Sequence, residues 1–501
     1  MVLWLRRAIV LYLSHVSWAA VIPNHESNSS HDQADPRQAY GKMAPKVMIL
    51  NMSNSSPRQF KEEAQIWHDS LPNLGYGSLL EKNLTIGGLS PLDPDVHCTG
   101  SGEVCQATLG ESEINAATST SALVLGADTA TVFDLSRTYF LISGIAGVNP
   151  KLGTLGSVAL VKFAVQAALQ YELDARDMPD NFSTGYLAYG TATPGSPPTS
   201  WYGTEVMEVN EALRDAAFNL ARNGSATTTS GSSSPAVLAD DAAAAEYRAK
   251  YDTTTSAATD ANTSSSSSSS SSSNVHKHEN IDNYYSGPLL SEAFENTTRV
   301  WTNQSQVTYC MTAQEDSAVL QVLLRAHLAR RADFSRAIVM RAGSNFDRPP
   351  PNMTALEHLQ QLGQNGFALA ITNTWNAGSR IVAGILADWD RTYGPGIPPT
   401  NYVGDVFGSL GGIPNFGPGS LFGGNSASAA ADGSTYAGGA QGGVAKRGGV
   451  CPFWGWWWLN VPRVNGALTQ QRLKKHEKKR RRRRRRGLAL SEGGTRFAIC
   501  S

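Results

Sequence analysis

The chain has 501 residues, 41% apolar and 17% charged, enough for one large insertion-bearing domain or two ordinary ones, and it excludes both global disorder and a disulfide-stapled mini-protein. Lys+Arg and Asp+Glu both number 42, yet residues 446–501 hold 16 basic and 2 acidic side chains, leaving 26 against 40 in residues 1–445. The neutral total hides an acidic body and a basic tail.

Arg6 and Arg7 precede a mostly apolar run, Ala8–Val16, and Ser17-Trp18-Ala19 offers small residues where a signal peptidase reads. Residues 1–20 are read as a cleaved secretory signal, because the apolar stretch falls short of the roughly 20 residues needed to span a bilayer. Residues 21–44 are a polar leader. No later segment has the apolar length of a membrane span, so no multi-span domain is expected. Sequons at Asn28, Asn51, Asn54, Asn83, Asn181, Asn223, Asn262, Asn296, Asn303 and Asn352 fit a glycoprotein of the secretory pathway, extracellular or at the cell surface, although a sequon in a buried strand end such as Asn51 would go unused.

Continuous apolar runs at Val47–Leu50, Tyr139–Ile142, Val158–Val165, Val307–Met311 and Ala337–Met340 read as interior strands covered on both faces. Cys98 and Cys105 flank a turn-rich spacer, so paired and unpaired states are both compatible with the spacing, whereas Cys310 reads as a core thiol. Thr204 is placed as the cap of a helix carrying Val206, Val209, Leu213 and Leu220 at helical spacing, with further helices over Ser317–Ala329 and Arg380–Trp389. Strands alternating with helices predict a layered α/β domain over residues 45–412.

Residues 223–280 are read as a disordered insertion. They include ten serines, Ser264–Ser273, and a short helix over Ala244–Tyr251; little in them can bury enough apolar surface to offset ordering. Residues 413–501 are low in complexity and carry seven consecutive arginines within Lys474–Arg486. A phosphate-polymer patch, a solvated charge run and a translated intron or shifted frame compete, and the break in composition favours the last. No nucleic-acid partner is expected. Without C-x-x-C, H-E-x-x-H or paired-His spacing, neither metal nor cofactor is expected.

Ligands of open α/β sheets gather at the carboxyl ends of strands. After three strands come Ser143-Gly144-Ile145-Ala146-Gly147, Thr312-Ala313-Gln314-Glu315-Asp316 and Arg341-Ala342-Gly343-Ser344-Asn345-Phe346-Asp347-Arg348. Each has an ordinary reading: a bend, an acidic first helical turn, and an Asx turn before Pro349.

Taken with Lys46-Val-Met-Ile-Leu-Asn51, Gly88-Leu-Ser-Pro, Val96-His-Cys, Gly110-Glu-Ser-Glu-Ile-Asn-Ala-Ala117, Tyr139 to Pro150 and Gln170-Tyr-Glu-Leu-Asp-Ala-Arg176, these segments resemble the fungal purine nucleoside permease family over residues 45–412. That family is distantly similar to nucleoside phosphorylases and nucleosidases. The resemblance implies a three-layer α/β/α nucleoside phosphorylase-like domain with a mixed central sheet, and purine nucleosides as ligands. It implies that Glu315 holds the ribose hydroxyls, that Ser344 and Asn345 read the base, and that Ser143, Gly144 and Gly147 line the sugar. Asn345 can donate and accept but cannot protonate the purine N7, for which Asp347 is the candidate. Glu62 and Glu63 follow the first strand, and Glu63 is the candidate general base, with an exposed helix charge as its ordinary reading. Ile145 and Ile142 stand where the phosphorylases place a serine and an arginine, which disfavours phosphorolysis, although the amides of Gly144 and Ala146 remain available to an anion. The expected function is capture or N-glycosidic hydrolysis of purine nucleosides. The alternative is a non-catalytic binding component that hands them to a transporter. Homo-oligomers are common among the distant relatives.

Overall fold

The apolar run that opens the domain forms β1, Val47–Asn51, with every residue buried. The computed structural model describes residues 42–52, 62–223, 242–252, 275–282, 284–303, 309–360 and 364–431. The signal, most of the leader, the serine run and the tail beyond residue 431, with its arginine run, lie outside these residues. The other strands are β2 Lys82–Thr85, β3 Asp95–Cys98, β4 Val104–Thr108, β5 Tyr139–Val148, β6 Val158–Val165, β7 Tyr171–Glu172, β8 Tyr186–Leu187, β9 Val206–Glu208, β10 Val275–Asp282, β11 Tyr309–Ala313, β12 Ala337–Phe346 and β13 Gly404–Asp405. The helices are α1 Glu62–Ser70, α2 Ser112–Leu125, α3 Ala127–Val132, α4 Glu211–Asn223, α5 Ala242–Asp252, α6 Pro288–Trp301, α7 Asp316–Leu328, α8 Ala355–Gln360, α9 Phe367–Ala387 and α10 Ala427–Ala431.

All strands except the β7–β8 hairpin join one mixed sheet. β1 lies parallel between β4 and β5. Beyond it the sheet closes on itself: β5 pairs with β12, β12 with β6, β6 with β10, β10 with β11, and β11 returns to β5. Alternate side chains of β1 and β5 point to opposite faces. Met48, Leu50, Phe140 and Ile142 pack with α2 and α7, while Val47, Ile49, Tyr139 and Leu141 pack with α1, α4 and α9. The result is three layers, helices on both faces of a mixed sheet.

Several predicted bounds change. Ser143–Gly147 is not a turn: β5 runs on to Val148, and β12 to Phe346, because the two pair in parallel along this whole length. Val206 lies in a strand, since β9 pairs with β6 and β13. The helix therefore starts at Glu211, where Asn210 accepts the Leu213 amide at 3.2 Å. α9 begins well before Arg380. Its first half carries Thr and Asn residues that blur the apolar pattern but are satisfied on backbone, as when Asn373 donates to the Gly156 carbonyl at 2.8 Å. Within the stretch read as a disordered insertion, α5 coincides with the short helix expected over Ala244–Tyr251, whereas most of β10 was not expected there.

Cys98 and Cys105 face each other across β3 and β4 and form a disulfide. Cys310 is buried. Asn51 is buried with its amide on the Ser143 carbonyl, while the sequon residues Asn83, Asn181, Asn303 and Asn352 are exposed. Among the described residues no helix is long and apolar enough to cross a membrane.

Candidate functional site

The carboxyl ends of β1, β5, β11 and β12 converge, and an arginine organises them. Arg341 sits inside β12, 1% exposed. A guanidinium so placed must be paired, since an unpaired buried charge costs several kcal/mol, on the order of 3–5 when one partner is removed. Its Nη2 lies 3.0 Å from Glu315 and 2.6 Å from Asp316, its Nε donates to Asp316 at 3.1 Å, and its Nη1 donates to the Ile145 carbonyl at 3.3 Å. Burial opposes the charge, but Asp316 and Glu315 prevail and push the guanidinium further up than usual. Glu315 precedes α7 as its cap residue. Its Oε1 accepts the Ser112 amide at 3.0 Å and its Oε2 the Gln314 amide at 3.2 Å.

Glu63, near the start of α1, is 3% exposed. Its two oxygens accept the Ile145 amide at 2.7 Å and the Met52 amide at 3.1 Å. Burial pushes this carboxyl up to about 8, against the lowering effect of the Ile145 amide and of Arg341. Gly144 allows the approach: a Cβ there would stand 2.5 Å from Arg341 Nη1 and 3.1 Å from Glu63 Oε1. Half-buried Glu111 is pushed up to about 7 by burial and then by the charge of Glu315.

The register of β12 against β5 slips between Gly343 and Asn345. Such a bulge re-aims side chains, a common device beside functional sites. The single hydroxyl hydrogen of Ser344 is shared between the Ala146 carbonyl at 3.2 Å and Asn345 Oδ1 at 2.9 Å, and Asn345 Nδ2 donates to the Phe346 carbonyl at 3.2 Å. One amide hydrogen and one acceptor position of Asn345 remain for a ligand.

These groups enclose a cavity of about 280 Å³. Met52, Glu63, Glu111, Glu315 and Arg341 are among its walls, together with Ile145–Gly147, Thr312–Gln314, Tyr284, Ser344 and Asn345. Past Asn345 lies a smaller space of about 150 Å³ bounded by Phe346, His358, Gln364 and Phe367, sharing Ile145, Tyr284, Ser344 and Asn345 with the first. His358 is held down at about 4 by burial and is neutral at pH 7. Gln364 Oε1 accepts the Phe346 amide, which leaves its Nε2 to donate to His358 Nε2 at 3.0 Å.

Of the residues singled out from sequence, Glu63, Gly147, Glu315, Ser344 and Asn345 line the one cavity. Ser143 and Gly144 do not, Ser143 being fully buried within β5. Asp347 is drawn elsewhere: its carboxylate pairs with Arg348 at 2.7 Å and accepts from Tyr285 and Tyr309. Arg348 in turn reaches Glu295 at 3.0 Å, so Asp347 belongs to a buried ion-pair network joining β12 to α6. The amides of Ile145 and Gly147 already have partners, Glu63 and the Thr312 hydroxyl. Sequence reasoning missed Arg341, Glu111, Thr312 and Tyr284. Arg341 had a signal, a cation directly continuing an apolar strand. Glu111 had one too, an acid just beyond β4, and Tyr284 had none.

Fold and site define an α/β/α protein with an acidic cavity, bounded at one end by an amide, at the strand termini of a mixed sheet. The chain belongs to the purine nucleoside permease family, whose model matches residues 44–398. A purine nucleoside permease of Candida albicans is 37% identical over 418 residues, 81% of this chain and 90% of that one. A probable purine nucleoside permease of Schizosaccharomyces pombe is 34% identical over 69% of this chain and 90% of its own. Among solved structures, a 5'-methylthioadenosine/S-adenosylhomocysteine nucleosidase from Neisseria meningitidis matches with a TM-score of 0.36 and 13% identity, over 67% of this chain and 98% of that one. At that score the likeness adds nothing to the fold read from the strand pairings.

Proposed function

We propose that the cavity binds a purine nucleoside, sugar toward the carboxylates and base toward Asn345, and hydrolyses its N-glycosidic bond. The observation that carries this is that Glu315, at the cap of α7, and Asn345, in β12, border one cavity. A carboxylate suits sugar hydroxyls, and the free amide hydrogen of Asn345 suits a purine acceptor. In the reaction, water forms a bond to the anomeric carbon as ionised Glu63 takes its proton. The carbon–nitrogen bond breaks, its electron pair passes to the purine, and solvent returns a proton there.

One observation favours a second reading, capture without cleavage. At about 8, Glu63 is mostly protonated at neutral pH and is a poor base there. Family membership supports a role in nucleoside uptake, which capture would serve by handing the ligand to a transporter. The Cys98–Cys105 disulfide supports action in an oxidising compartment outside the cytosol.

Incubating the full chain with inosine separates the readings. Hypoxanthine release abolished by Glu315→Ala supports hydrolysis at this site. Tight calorimetric binding with no release at any pH supports capture alone, and neither binding nor release refutes both.

A further inference from the structure

We infer that Glu111 is a second sugar-binding carboxyl, which shares the ribose diol with Glu315 in the nucleoside site proposed above.

The need arises from the acceptor count of Glu315. An ionised carboxylate offers about four lone-pair positions. Glu315 spends three, on the amides of Ser112 and Gln314 and on Arg341 Nη2. One position remains, on Oε1, and a vicinal diol brings two hydroxyls. A single further acceptor must stand beside Glu315 on the cavity side.

Glu111 stands there. It directly precedes Ser112, whose amide Glu315 holds, so the two carboxyls are close enough for the charge of Glu315 to act on Glu111, and both line the cavity. Glu111 occupies the N-cap position of α2, where a short polar side chain ordinarily accepts a first-turn amide. It makes no capping bond, and among the described residues no hydrogen bond to its carboxyl is found. Its neighbours set its chemistry. Glu63, Glu315 and Asp316 are acidic, and Arg341, the cation among them, is paired with Glu315 and Asp316. Pushed up to about 7, the Glu111 carboxyl is substantially protonated near neutrality, which relieves its repulsion from Glu315, and it can then donate to a hydroxyl as well as accept from one.

The test compares affinities of the full chain, Glu111→Ala and Glu111→Gln for inosine, 2′-deoxyinosine and 3′-deoxyinosine by calorimetry. In the unaltered chain each missing hydroxyl is expected to weaken binding about tenfold. Glu111→Ala is expected to bind inosine about tenfold more weakly and to lose discrimination against one of the two deoxynucleosides while keeping it against the other. Glu111→Gln, which also donates and accepts, is expected to stay within a few-fold of the unaltered chain. Undiminished discrimination against both analogues in Glu111→Ala overturns the inference, because a merely structural role would weaken all three ligands alike. Equal loss in Glu111→Gln and Glu111→Ala overturns it also. If the unaltered chain binds inosine and Glu111→Ala is unchanged, only the role of Glu111 falls. If the unaltered chain binds none of the three, the nucleoside reading itself falls.

Discussion

Glu63 decides at what pH the proposed chemistry can run. Only its ionised form can take a proton from water, and burial has moved its ionisation from the usual carboxylate range to about 8. Hydrolysis should therefore climb with pH through about 8, and at pH 6 only about 1% of the site is ionised. The same shift touches stability. The folded state holds the Glu63 proton over a range where the unfolded chain has released it, so this residue's contribution falls as pH rises from the ordinary value near 4.5 toward 8 and is at its least favourable above that. A pH–rate profile of hypoxanthine release checks the first point, and Glu63→Gln should abolish the rising limb. A rate that is flat between pH 6 and 9 would remove Glu63 from the base role. The residue was legible in the sequence as an acid following β1, but its environment was not. The amides that hold it come from Met52 and Ile145, and Ile145 is distant in the chain.

At the scale of elements, the sequence was most readable where a strand is covered on both faces, as in β1 and β6, whose apolar runs admit little else. It was least readable where a strand leaves the core for the cavity. β5 and β12 continue through small and polar residues that periodicity treats as loop, yet each is held by the ladder of the other, and Gly144 and Gly147 let Arg341, Glu63 and Thr312 press against the backbone. The start of α4 was misplaced for a related reason: Val206 satisfies the helical spacing equally well as part of β9, and only sheet pairing separates the two. The helix cap is therefore a fair test of the corrected boundary. Asn210 accepts the Leu213 amide and donates to the carbonyls of Ile397 at 2.7 Å and Ser335 at 3.3 Å. Asn210→Ala should cost about 1–3 kcal/mol in denaturant unfolding. Thr204→Ala removes one hydroxyl bond to Gln166 and should cost about 1 kcal/mol or less. The reverse order would return the cap to Thr204.

Across the whole molecule, the closed part of the sheet gathers acidic groups from both helical layers into one place. Glu63 arrives with α1 from one side, and Glu111 and Glu315 with α2 and α7 from the other, around the single guanidinium that β12 carries between them. Phosphate binding needs charge-assisted donors. Here Arg341 is paired with Glu315 and Asp316, the Ile145 amide is held by Glu63 and the Gly147 amide by Thr312, and Ile142 is buried in the core. An incoming phosphate would meet the carboxyls of Glu315 and Asp316 against one guanidinium, joined by Glu111 and Glu63 as pH rises through about 7 and 8, with a repulsion on the order of 4 kcal/mol for a unit pair 4 Å apart near the surface. Water, carrying no charge, meets no such barrier. Inosine affinity and the rate of hypoxanthine release should therefore change less than about twofold when phosphate is raised to tens of millimolar at fixed ionic strength, since a tenfold effect would require about 1.4 kcal/mol of net phosphate interaction. The sugar product should be free ribose. Ribose 1-phosphate among the products, with release that rises and saturates as phosphate is added, would mean that Arg341 is drawn away from its carboxylates during turnover, and the acidic cavity would then have to be read as a phosphorolytic one.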